Sequence, residues 1–375
     1  MDEGATGLEL LPNGIYVTQA KLFAGIEPMF GKKKSIVGLD IGSSSVKAVE
    51  LTQVGDQLKI TGFGHAPIES KDAVRDTIAD MLKHCGIRTR RVATAVSGRA
   101  VIVRYINLVQ MADDELKSAM RFEADKYIPF QVDEVVLDCE RLPDFGEPTT
   151  NAQGEKEMKV LLVAVKQTLI DEHLQLIQSL GLVPTVVDVD TFALGNAFEL
   201  NSLHSPRVED EEKVIALVDV GSVKTNINVV KNNTSYFSRE VYLAGNDFTE
   251  AISRRLATEP QEADKLKLNP QGKEDVIEES ILPTLDDLGN EIHLSFDYYE
   301  NQYDKEVDEV YISGGSAKIA GLKTAFERVF DKKIHFWDPT ENLEVRSDRV
   351  DVQAMKDHSP QLAVAVGLAS RILTQ

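Results

Sequence analysis

Long apolar runs are missing from this sequence: nothing approaches the ~20 residues needed to cross a bilayer. Contact with a membrane is therefore expected to pass through a partner. The opening residues lack a basic segment followed by an extended apolar core, so no secretory signal is expected there. Cysteine is scarce, with Cys85 and Cys139 as the whole complement. That excludes a disulfide framework and suits a reducing cytosol. The seven histidines show no ligand spacing, which argues against a zinc site. Positive charge is in deficit, 41 Lys and Arg against 61 Asp and Glu, for a net −20. Nucleic acid and anionic lipid would both be repelled, so neither is an expected direct partner. What is present is an apolar content of 42% in 375 residues, enough for two domains and a sizeable core.

Two stretches carry the chemistry. In residues 36–51, Val37, Leu39 and Ile41 surround Asp40, the run halts at Gly42, and apolar residues resume at Val46, Val49 and Leu51. This reads as a strand, a tight turn and a return strand. Gly42 permits positive φ and close approach of a ligand. Ser43, Ser44 and Ser45 add the N–H and hydroxyl donors that a phosphate needs from a turn, and Lys47 brings charge to the same place. Asp40, at the strand end, is suited to holding Mg²⁺ through waters. Residues 214–230 repeat the arrangement with Asp219, Gly221, Ser222, Lys224 and Thr225. One serine-lined hairpin is a weak signal; two in one chain are specific. They suggest two related domains with phosphates clamped between their turns. A third element, residues 307–322, is a strand, a Gly314-Gly315-Ser316 turn and a helix start. Its glycines leave room for a flat base or ribose, or else simply form a tight strand-to-helix turn.

Two Asp-x-Gly-Ser hairpins followed by a Gly-Gly-Ser turn resemble the phosphate-1, phosphate-2 and adenosine motifs of the actin, Hsp70 and sugar-kinase superfamily. Within it the chain is similar to the PilM family of type IV pilus assembly, which is related to FtsA. The narrower match rests on residues 121–130, ending Tyr-Ile-Pro-Phe, on residues 186–194, and on the start at residues 30–40. It covers about Met29 to the C-terminus. The resemblance implies an α/β, actin-like (ASKHA, ribonuclease H-like) two-domain ATPase fold with an FtsA-type inserted 1C subdomain. The expected divisions are an extension over 1–33, a first domain over 34–213 with subdomain 1C at about 104–182, a second domain over 214–345, and a return to the first over 346–375. It implies ATP or ADP with Mg²⁺ between the domains: phosphates on Gly42–Ser45, Lys47, Gly221, Ser222, Lys224 and Thr225, metal near Asp40 and Asp219, adenosine near Gly314, Gly315 and Ser316. It further implies the N-terminal cytoplasmic peptide of PilN as partner, in a groove that Tyr127, Ile128 and Phe130 help shape. Those three residues serve equally as interior packing. PilO, PilC and the pilus motor ATPases would be reached indirectly, from the bacterial cytoplasm at the face of the inner membrane. Homo-oligomerisation stays open.

Elsewhere the chain reads as follows. Residues 1–28 precede the usual start of the family; Leu8-Glu-Leu-Leu-Pro12 resembles the core of the PilN peptide, and 14–18 equally suits an edge strand. Residues 59–65 read as a third strand, 72–84 as a helix ended by Gly86, and 92–96 as a strand. A β-α-β-β-α run then fills the inserted lobe. Asp190 is the candidate to orient an attacking water, a role needing a carboxylate within hydrogen-bond reach of it; it equally suits capping the following helix. Gly245 resembles a family glycine near nucleotide, although Asn246 departs from the pattern. Residues 261–265 match the short helix beside adenosine, where Glu262 would meet ribose and Lys265 the base, or where both simply line a solvated face. An Ala-rich helix over 360–373 is expected to cross closely against the other domain. Two alternatives compete with the scaffold reading. One is an FtsA-like filament, disfavoured by the missing basic amphipathic tail; the other is a sugar-kinase-type phosphotransferase, for which no sugar motif is found.

Overall fold

The computed structural model describes residues 34–55, 57–145, 149–204 and 213–374. The expectations for residues 1–28 lie outside the described residues.

Continuous rather than alternating apolar runs open the chain, as expected of strands covered on both faces. Strands β1 (Lys34–Ile41), β2 (Ser45–Val54) and β3 (Gln57–Pro67) form an antiparallel meander. Helix α1 (Val74–His84) buries Ile78 and Met81 against one face and leads to β4 (Arg91–Val96), parallel to β1. The inserted lobe follows: β5 (Val101–Val109), α2 (Asp113–Glu123), β6 (Val135–Arg141) and β7 (Glu157–Lys166). Acidic residues fill the first turn of α2, and Glu115 accepts the Ala112 N–H at 3.2 Å. Its three strands form their own sheet in the order β5-β7-β6. Helix α3 (Gln167–Ser179) leads back to β8 (Val183–Val189), beside β4. Ile177 of α3 packs with Val37, Leu39 and Val92 of the first sheet, tying this helix to that sheet. Helix α4 (Asp190–His204) then crosses to the second half.

That second half repeats the first. Strands β9 (Val214–Val220), β10 (Thr225–Lys231) and β11 (Thr234–Val241) form the same meander. Helices α5 (Gly245–Leu256), α6 (Pro260–Leu268) and the long α7 (Glu274–Tyr303) precede β12 (Glu309–Ser313). Helix α8 (Leu322–Phe330) and β13 (Lys333–Phe336) complete it. With the two-residue β14 (Glu344–Val345) at one edge, the sheets run β14-β3-β2-β1-β4-β8 and β11-β10-β9-β12-β13. Apart from β14 they share one topology, so β1 and β9 are equivalent central strands and their hairpin tips are equivalent positions.

The chain regains the first sheet earlier than residue 346. Strand β14 (Glu344–Val345) pairs with β3, and Trp337 already packs on Phe198 of α4, with its Nε1–H donating to Asn201 Oδ1 at 2.8 Å. Helices α9 (Val352–Asp357) and α10 (Ala363–Ala369) close the fold. The Ala-rich helix is three short pieces, since 3₁₀ turns flank α10 on both sides. Its small residues serve the first sheet and α4 rather than the second domain. A Cβ on Gly38 would lie 1.9 Å from Ala365 O, and one on Gly367 1.8 Å from Ala193 O. Contact with the second half comes from α4, whose Thr191 carbonyl accepts Asn228 Nδ2–H at 2.6 Å, and from Pro360 at the head of this stretch, whose carbonyl accepts Gly314 N–H at 2.7 Å.

Candidate functional site

The two hairpin tips turn identically. Gly42 N–H donates to Ser45 O at 3.1 Å, and Gly221 N–H to Lys224 O at 3.0 Å. Neither glycine has positive φ. They are needed for space: a Cβ would stand 2.9 Å from Ser45 O in the first turn and 2.8 Å from Lys224 O in the second. Ser43 and Ser44 are exposed at the first tip, whereas Ser45 is buried as the first residue of β2. Ser222 is half-buried at the second tip. Thr225 departs from expectation: it is fully buried and its hydroxyl donates to Leu243 O at 2.8 Å, bracing the sheet instead of facing the tip.

Charged groups from both halves converge between the tips. Lys47 Nζ lies 3.1 Å from Asp40 Oδ2 on the same hairpin. Burial raises Asp40 above the usual carboxylate range against the pull of Lys47. Asp219, hydrogen-bonded by Ser313 Oγ at 2.9 Å, is pushed up to about 6 by burial, with Asp40 and Asp190 adding repulsion. Asp40 acting on Asp219 puts the ends of β1 and β9 within electrostatic reach of each other. Two buried, crowded carboxylates are what a hydrated divalent cation relieves. Among the described residues no group of three potential ligands occurs, so Mg²⁺ would lean on water and phosphate oxygens. Lys224 reaches across the cleft from the second tip, 2.8 Å from Asp190 Oδ2 and 2.6 Å from Glu240 Oε1. Burial disfavours its charge, but those two carboxylates outweigh that and hold the ammonium above its ordinary range. Asp190 is the first residue of α4, and its carboxylate meets the Lys224 ammonium.

The third motif divides its labour. Gly314 has φ +98°, and a Cβ there would strike the Val220 backbone at 2.3 Å, so its bare face is filled by protein, not left for a base. Gly315 is exposed, with Gln361 at 3.7 Å from its Cβ position. Ser316 is buried and donates to Gly221 O at 2.9 Å, locking this motif to the second tip. Gly245 joins them: its N–H donates to Gly221 O at 3.0 Å, and a Cβ would meet Ser316 Oγ at 2.5 Å. Glu262 and Lys265 are exposed, one turn apart on α6. The buried lysine of that helix is Lys267, which donates to Gly245 O at 3.0 Å and Thr249 Oγ1 at 2.7 Å. Reading the sequence missed Lys267, although its place on the buried side of α6, one turn after Ala263 and next to Leu266, was a signal.

Histidines border the cleft unexpectedly. His65 stacks on His358 at 4.0 Å and meets Gln361 Oε1 at 3.2 Å, beside Gly315. Burial, His358 and Lys47 lower His65 to about 4. His173 is also lowered to about 4, by burial against Thr94. Both fold as neutral rings. Their contribution to stability is complete above ~6.5, where the unfolded imidazole is neutral too, and drains as pH falls from there toward 4. Thr94 Oγ1 already donates to Leu39 O, so His173 Nε2 is the donor at 3.0 Å. His173→Gln keeps a donor and removes a titration. It is expected to remove ~1 kcal/mol of the acid loss, read from urea unfolding at pH 7 and pH 5.

The residues expected to shape a partner groove are mostly interior. Ile128 is buried, and Tyr127 packs half-buried with Leu116 and Met120 inside the inserted lobe. Phe130 is half-buried beneath Lys166, whose Nζ sits 4.7 Å from its ring. What stays open is a cleft of about 350 Å³ between β5, the start of α4 and β11, whose lining includes Ile102, Val103, Arg104, Arg239, Glu240 and Tyr242. Glu240 thus faces this cleft and Lys224 together.

The family model described as type IV pilus assembly protein PilM matches residues 38–373. A solved PilM–PilN type IV pilus biogenesis complex superposes with a TM-score of 0.77 at 28% identity, covering 90% of this chain and 98% of that one. The cell division protein FtsA of Bacillus subtilis (strain 168) is 20% identical over 347 residues, 86% of this chain and 70% of its own length. FtsA of Neisseria meningitidis serogroup B is 22% identical over 393 residues, 90% of each.

Proposed function

The chain belongs to the PilM family of type IV pilus assembly proteins, and from that premise we propose that it is an actin-like scaffold that clamps Mg-ATP between its two halves. The observation that carries this reading is the pair of equivalent hairpin tips, each turning on a glycine with no room for a Cβ, the second tied to the first half through Lys224 and Asp190. Triphosphate oxygens would take the N–H groups of Ser43, Ser44 and Ser222 and the ammonium group of Lys47, while Lys224 stays on Asp190 and Glu240. Mg²⁺, held through waters beside Asp40 and Asp219, would neutralise the remaining charge. Ribose and base would lie toward exposed Gly315. Calorimetric titration of Mg-ATP tests it. Asp40→Ala is expected to weaken binding at least ~10-fold, since it removes a carboxylate that would hold the hydrated Mg²⁺ and leaves Lys47 unpositioned. Affinity equal to that of the unaltered chain would refute the assignment.

The scaffold's second ligand is proposed to be a cytoplasmic segment of a PilN-type inner-membrane protein, extended along the cleft beside β5. No helix among the described residues is long and apolar enough to cross a membrane, so the partner would supply the anchor. Arg104 and Arg239 at its rim favour a segment with carboxylates in a chain otherwise strongly acidic. Arg104→Glu should weaken a synthetic N-terminal segment of that partner ~10-fold by fluorescence anisotropy, with nucleotide affinity untouched.

A further inference from the structure

Asp190 stands where a base for water attack would be needed, at the head of α4, within electrostatic reach of Asp40 and Asp219. Yet the carboxylate is engaged: Lys224 holds it at 2.8 Å. Lys224 is itself pinned from behind by Glu240 at 2.6 Å. Glu240 is fixed in turn, because both its oxygens accept the Gly98 N–H at 3.1 Å and Oε2 accepts from Tyr242 at 3.1 Å. All three charged side chains are less than a fifth exposed. The result is a strap from the second hairpin to two points of the first half, Asp190 and Gly98.

We propose that Lys224 is a brake on ATP turnover: it occupies Asp190, and Glu240 keeps it there. The inference rests on the nucleotide reading above. In hydrolysis a water oxygen bonds to the γ-phosphorus as the bond from that phosphorus to the β–γ bridging oxygen breaks. ADP leaves with that electron pair, and the water's proton passes to Asp190. A carboxylate already bonded to an ammonium offers that water a poor acceptor, and the proton would arrive beside a positive charge. Lys224 cannot simply swing to the phosphates, since a second carboxylate anchors it. The site therefore retains triphosphate without consuming it.

Phosphate release by the full chain at saturating Mg-ATP tests the brake. Lys224→Gln is expected to raise the turnover number at least ~10-fold, and adding Asp190→Asn to abolish the gain. Glu240→Gln, which leaves the lysine in place but loosens its anchor, should give a smaller rise. A second readout needs no nucleotide. The Gly98 amide should exchange hydrogen at least ~5-fold faster in Lys224→Gln, because Glu240 is no longer held. Unchanged or lower turnover in a Lys224→Gln chain that still binds ATP overturns the brake alone, as does a gain that survives Asp190→Asn. Unchanged Gly98 exchange overturns the strap. Failure of the unaltered chain to bind ATP overturns the nucleotide reading and the brake with it.

Discussion

Gly367→Ala and Gly38→Ala are each expected to prevent stable folding, with ~4 kcal/mol or more lost. The magnitude comes from what the new methyl would meet. At Gly367 it would sit 1.8 Å from Ala193 O, and at Gly38 1.9 Å from Ala365 O and 2.5 Å from Ala369 N. These neighbours are backbone atoms within helices, so no rotamer change relieves the overlap. Relief requires α10 to lift from β1 on one side or from α4 on the other. Either movement opens the cluster that joins Ile36, Val49 and Leu51 of the first sheet to Leu194 and Ala197 of α4 and Leu217 and Tyr311 of the second. Gly315→Ala is the control, because its Cβ would meet Gln361 at 3.7 Å, an ordinary contact. Thermal unfolding should find Gly315→Ala within a few degrees of the unaltered chain, and the other two insoluble or without a cooperative transition. A cooperative Gly367→Ala chain of near-normal midpoint would mean that α10 is not wedged as described.

Much of this architecture was readable from residue order. The hairpins announced themselves because apolar strands stop at glycine after an aspartate, a pattern set by local geometry. Repetition of that pattern in residues 36–51 and 214–230 corresponds to two sheets of one topology. Other features depend on which residues meet across long separations, and no local signal carries that. Thr225 and Ser316 have the right chemistry for a phosphate or a ribose, but their hydroxyls are used on Leu243 and Gly221. Gly314 looks like a glycine kept open for a base, yet the Val220 backbone fills its bare face. Tyr127 and Ile128 lie in the stretch that marks the family and turn inward, since the inserted lobe must build a core from a single helix and three strands. The role of Glu240 was hidden for a different reason. It is one polar residue in a strand, and only the register placing it opposite Asn226 brings it beside Lys224.

Arg371→Ala is expected to cost ~3–5 kcal/mol, the usual penalty for leaving a buried charge unpaired. Arg371 is 2% exposed and Asp188 fully buried. The guanidinium donates to Asp188 Oδ2 through Nη2 at 2.5 Å and Nε at 2.7 Å, with Asn196 Nδ2 at 3.2 Å on the same oxygen and Val189 N–H on the other at 2.8 Å. Truncation strands a carboxylate that water cannot reach. Replacing both partners, as Arg371→Met with Asp188→Leu, removes the charges together and should recover most of the loss. Urea unfolding of the two variants separates these cases, and a single truncation as mild as the double replacement would contradict the pairing. The site should feel the difference as well. Asp188 is the penultimate residue of β8, two before Asp190, so a loosened Asp188 lets Asp190 drift from Lys224. Arg371→Ala should therefore speed Gly98 amide exchange even well below its unfolding transition, while the double replacement, with β8 packed again, should return it toward normal.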